Sequence, residues 1–220
     1  MKFTLYNPLK GAILKYHNEG GNVTQWYGEN PALYEKNVPN YPKGMGHNGI
    51  DIAMPWGTPV LAAHDGIILG IAEGVNASTL GGNFVMLHSY DFLNDENNKT
   101  CKAITGYFHL SKVTCSLGQK VKIGDIIGLE GNTGFVVSTA TPYWDGINPT
   151  AGSHLHFTLS FTEKIGSNNY KPILNSFGKA TIDPAPYLGL QSREEKIISI
   201  QRQLIGLYTK LISLLKGRRI

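Results

Sequence analysis

Apolar positions along the 220-residue chain follow three different rules. Residues 1–46 are rich in Gly, Asn, Pro and Tyr and carry few periodic apolar runs, which predicts an irregular arm with short strands such as 23–28. Residues 47–163 break into short apolar segments, at 59–63, 66–71, 83–88, 103–110 and 155–160. Gly118, Gly124, Gly128, Gly131 and Gly134 punctuate the later part, so this stretch predicts an antiparallel sheet with tight corners. The polar stretch 89–100 and the longer 135–153 predict loops, and long loops in compact domains often carry function.

The pattern changes again near residue 192. Ile197, Ile200, Leu204, Leu207, Leu211 and Leu214 are spaced 3-4-3-4-3, and Ile198, Ile205, Tyr208, Ile212 and Leu215 widen the stripe. This predicts an amphipathic helix over 192–216, with Ser192 as N-cap and Glu195 completing a capping box. Pro184 and Pro186 mark the boundary before it. The expected architecture is mainly β, an antiparallel, sandwich-like domain over 1–190 followed by a helical tail over 191–220.

Charge divides along the same line. Of 20 Lys and Arg and 16 Asp and Glu, residues 192–220 hold seven basic and two acidic, a net of +5. The remainder, 13 basic against 14 acidic, is −1. A nucleic-acid-binding body would carry its own basic face, so that class is disfavoured. The tail admits three readings: packing on the β domain, self-association, or contact with an anionic membrane surface through 192–216. No run of about 18 apolar residues occurs, and the first residues lack a signal-peptide pattern. Cys101 and Cys115 allow one disulfide or two free thiols.

Seven histidines carry most of the candidate chemistry. His47 and Asp51 lie four residues apart around Gly49, and His154-Leu155-His156 puts two imidazoles on one strand face with Leu155 turned to the core. A hydrolytic zinc site takes three such ligands and leaves a position open for water. His47, Asp51 and one histidine of the pair supply that set, and the other histidine is left beside the metal for proton transfer. His64 and His88 fit solvent-facing or hydrogen-bonded roles, and His17 has no supporting context.

These motifs resemble the LytM/lysostaphin-like family of zinc metallopeptidases, which cleave peptidoglycan peptides. The resemblance runs through His47-Asn48-Gly49-Ile50-Asp51, Tyr107-Phe108-His109-Leu110, Gly131-Asn132-Thr133-Gly134 and His154-Leu155-His156-Phe157, within a motif core of about 23–163. It implies His47, Asp51 and His156 as ligands of one zinc ion, and His109 and His154 as catalytic histidines, either of which fits the general base. It also implies that Tyr41, six residues before His47, helps stabilise the oxyanion. The segment 135–153 is longer than the family pattern, and its Tyr143, Trp144 and Asp145 are candidate substrate contacts.

The implied activity is endopeptidase cleavage of stem or cross-bridge peptides at the bacterial cell wall, whether extracellular, periplasmic or phage-associated. The competing reading is a catalytically silent LytM-type module that regulates other wall hydrolases. Intact residues at all five positions count against it.

Overall fold

The computed structural model describes residues 3–74, 80–95, 98–136, 152–190 and 193–217. In chain order the elements begin with β1 (Val23–Gln25), α1 (Pro31–Asn37), β2 (Ile50–Ile52), β3 (Pro59–Leu61) and β4 (Gly66–Ala72). Next come β5 (Asn83–Ser89), β6 (Phe92–Asn94), β7 (Lys99–Leu110), β8 (Lys112–Val113), β9 (Lys120–Val121) and β10 (Ile126–Leu129). The series closes with β11 (Leu155–Lys164), β12 (Tyr170–Pro172), β13 (Thr181–Ile182) and α2 (Arg193–Gly217).

The main sheet runs β1-β2-β11-β7-β5-β4-β9, with β12 and β13 against β11 and β6 against β7. A smaller sheet runs β3-β10-β8. All the strand pairs are antiparallel, as the alternating segments predict. In β11 the alternation is direct: Leu155, Phe157 and Leu159 are fully buried. They share one core with Tyr107 of β7, Val60 of β3 and Ile127 of β10, so the small sheet closes over the large one.

The arm differs from its expectation in two ways. It contains a helix, α1, started by Pro31, whose fixed φ and missing N–H suit a first helical turn. It is also integrated into the domain. Leu5, Leu9 and Ala12 join the core, Leu9 bridges to Val60, and the Tyr6 amide donates to the Ala63 carbonyl. The expected loop 89–100 contains β6, which folds back on β7.

His64 is buried and neutral. Burial lowers its pKa to about 4, Nδ1 meets the Asp65 carbonyl at 2.9 Å, and Nε2 lies 3.0 Å from the Thr105 hydroxyl. Cys101 and Cys115 are separate, buried free thiols. The amphipathic helix forms as α2, although Ser192, its expected cap, lies outside the described residues. Every described side chain from 200 to 212 is exposed.

Candidate metal centre

Strand register assembles the site. Pairing of β11 with β2 sets His156 opposite Asp51, and pairing with β7 sets it opposite Phe108. On the outer side β1 sets Gln25 opposite Asp51. His47 enters from the turn before β2, which passes close over β11 at Gly49. A Cβ there would lie 2.5 Å from the Phe157 carbonyl oxygen and 2.9 Å from His156 Cε1, so only glycine permits this approach.

Three ligand-type atoms converge. His47 Nε2 is 3.0 Å from Asp51 Oδ1, His156 Nδ1 is 2.8 Å from the same oxygen, and the two nitrogens are 2.8 Å apart. His47 Nδ1 lies 3.3 Å from the Trp26 carbonyl, which selects the tautomer with the proton on Nδ1. The neutral ring therefore presents a lone pair at Nε2 to a carboxylate and to a second imidazole nitrogen. Lone pairs packed this closely repel unless a cation lies among them, so the donor set fits a divalent metal. Burial opposes ionisation of Asp51, but the imidazoles of His47 and His154 and the contact with His156 outweigh it. The carboxyl stays well below the usual carboxylate range. Burial also lowers His156, which keeps its ring neutral and able to ligate.

Two further imidazoles face this group. The His109 and His154 rings are 4.8 Å apart, and His154 Nε2 is 3.7 Å from Asp51 Oδ2. His109 Nδ1 lies 2.8 Å from the Thr133 carbonyl and His154 Nδ1 lies 2.7 Å from the Gly152 carbonyl. Each contact puts a proton on Nδ1, so in the neutral ring Nε2 is the basic atom. Burial, with His154 and His156 nearby, holds His109 well below the ordinary imidazole range.

Simple alternation along β7 would send His109 to the core face with Thr105 and Tyr107. Its φ of 64°, a left-handed conformation that non-glycine residues avoid, breaks the alternation and brings the ring to His154. Such local strain persists where surrounding contacts enforce it, here the bonds to Thr133 and to the Gly81 carbonyl.

A groove of about 350 Å³ runs over these residues, walled on one side by α1 and the turn after it. Tyr41 lines that wall, and its hydroxyl donates to the Gly46 carbonyl at 2.8 Å. Burial, with Tyr27 nearby, pushes its pKa up to about 12, so it stays a neutral phenol.

Sequence reading missed Tyr34, whose ring stacks on both Tyr41 (5.3 Å) and His47 (5.6 Å). Its hydroxyl donates to Gln25 Oε1. The only local signal was a tyrosine in an arm without periodicity.

Glu130 was also missed. It is fully buried, and its Oε1 accepts from the Met54 amide at 3.0 Å and the Ser153 hydroxyl, next to His154 in the chain, at 3.3 Å. Burial pushes its pKa up to about 8, and Oε2 has no hydrogen-bond partner among the described residues. Tyr143, Trp144 and Asp145 lie outside the described residues.

Comparison with known proteins gives a consistent family. Residues 45–168 match the profile of Peptidase family M23. The peptidoglycan DD-endopeptidase ShyA of Vibrio cholerae is 37% identical over 114 residues, 51% of this chain and 20% of that protein. The glycyl-glycine endopeptidase ALE-1 of Staphylococcus capitis is 34% identical over 152 residues, 67% of this chain and 31% of its own length. The crystallized catalytic domain of lysostaphin from Staphylococcus simulans covers 78% of this chain and 94% of its own, with 26% identity and a TM-score of 0.47. The chain thus spans a third or less of the length of these two curated relatives.

Proposed function

Because the chain belongs to peptidase family M23, we propose that it is a zinc-dependent endopeptidase that hydrolyses peptide bonds of bacterial peptidoglycan. The observation that carries this reading is the convergence of His47 Nε2, Asp51 Oδ1 and His156 Nδ1 beside two imidazoles with free Nε2 atoms. His47, Asp51 and His156 would hold the ion. Zinc bound there supplies Lewis-acid polarisation of the scissile carbonyl and lowers the pKa of water toward about 7.

The remaining chemistry belongs to the chain. His109 and His154 begin as bases at Nε2, because their Nδ1 protons are committed to the Thr133 and Gly152 carbonyls. The ring that takes the proton from the attacking water becomes an imidazolium beside the developing oxyanion, and it then returns the proton to the leaving amine. The low pKa of buried His109 makes its cation a ready proton donor to that amine. Tyr41 serves the oxyanion only after its hydroxyl leaves Gly46. Residues of α1 and Leu80 line the groove in which the peptide would lie.

Peptidoglycan as substrate rests on the named activities of the relatives, and with that substrate the protein would work at the cell wall. Purified protein should contain about one zinc per chain. Digestion of peptidoglycan should release peptide amines, stop with a chelator and return with zinc. His109→Asn should keep the metal and lose about 10²–10⁴ in turnover. Absence of bound zinc together with chelator-insensitive or absent amine release would overturn the proposal.

A further inference from the structure

The helix α2 has no role in the site, yet it has the most regular apolar pattern in the chain. At 25 residues it is about 37 Å long. At about 100° per residue, the apolar positions between 197 and 212 occupy roughly half of the circumference, interrupted by Gln201. The opposite arc carries Arg202 and Lys210, one on either side of its centre, with small or neutral residues between them. Among the described residues the apolar half is left exposed: Leu204, Leu207 and Leu211 are each about half exposed, at 48%, 63% and 51%. The helix is not apolar enough to cross a bilayer.

Charge selects the occupant. From 196 to 220 the chain carries six Lys and Arg and no Asp or Glu. A parallel bundle of α2 copies would bury the apolar half but bring these cations together, with Glu194 and Glu195 of the first turn as the only acidic residues of the helix, and every added copy adds repulsion. A coiled-coil seam also needs only a narrow stripe. A half-circumference stripe with cations on the opposite arc fits the interface of a bilayer. There the apolar half sits at the acyl boundary, and the Lys and Arg stems run up to anionic headgroups.

We infer that α2 docks in the plane of an anionic lipid surface and tethers the β body to it.

The test uses the full chain and co-sedimentation with two kinds of vesicle, phosphatidylcholine alone and phosphatidylcholine mixed with phosphatidylglycerol. Binding should be at least about tenfold stronger to the mixed vesicles and should weaken with salt. The double variant Leu204→Glu/Leu211→Glu should lose at least about tenfold of that binding. Arg202→Glu/Lys210→Glu should lose the preference for anionic vesicles. Both variants should cleave soluble peptide at the parental rate, which shows that the body is folded. Two results would overturn the inference. One is failure to bind the mixed vesicles, or equal binding to both. The other is concentration-dependent oligomers in sedimentation that Leu204→Glu/Leu211→Glu dissolves while vesicles leave them intact, which would make a second copy the occupant.

Discussion

Residues 3–46 hold one three-residue strand and one seven-residue α-helix, yet they bury Leu5, Leu9, Ala12, Val23 and Trp26 in the core. The helix α2 is regular over 25 residues and exposes every described side chain from 200 to 212. The two regions use apolar residues in opposite ways. Periodicity reports the shape that a segment takes, because it is a local property of backbone and side chain. Burial depends on what surrounds the segment, and an irregular chain can lay single large residues into holes between two sheets. The arm also serves the site. The Trp26 carbonyl fixes the His47 tautomer, Tyr34 stacks on the same ring, and β1 flanks Asp51.

The sharpest way to break this contrast is a matched truncation. Leu9 is fully buried, so Leu9→Ala should cost about 2–5 kcal/mol in chemical denaturation. Leu204→Ala on the exposed helix should stay within about 0.5 kcal/mol. Equal losses would mean that α2 is packed in solution and that the contrast is false.

A smaller effect tests the arm's hold on the site. Tyr34→Leu keeps an apolar side chain but removes the aromatic face on His47 and the bond to Gln25. Metal affinity, read by competition with a chromogenic chelator, should fall about 10–100-fold with little change in melting temperature. Unchanged affinity would reduce the arm to packing alone.

A more gradual effect, spread over several pH units, is a pH slope inside the body. Glu130 has its pKa raised by burial from 4.5 to about 8, so the folded state holds a proton that the unfolded state releases earlier. The stabilising proton linkage is fully present below about pH 4.5 and is lost as pH rises through about 8. Between about pH 5 and pH 9 the parental protein should lose on the order of 4 kcal/mol relative to Glu130→Gln, whose stability lacks this slope. Parallel slopes in the two proteins would show that Glu130 is ionised in the fold.

Much of the site was legible because its spacing is short. His47 and Asp51 are separated by one turn over β11, and His154 and His156 share a strand face by alternation. Those local facts, with the glycine-punctuated strands and the heptad-like tail, already indicated a β domain, its candidate ligands and a terminal helix. Other features were not legible. Tyr34 sits in a segment with no period, and Glu130 reads as an ordinary acidic residue until burial makes it neutral. The separate fates of Cys101 and Cys115 were equally open in the sequence.

By itself, then, the sequence determined which residues could ligate, which segments alternate and where the basic helix begins, since each depends on neighbours only a few positions away. The tertiary structure alone decided that His109 leaves the face its alternation assigns. It also set the Trp26 carbonyl against His47, and it left the described side chains of the most strongly patterned helix exposed. These outcomes depend on contacts between segments distant in the chain, and no local period encodes them.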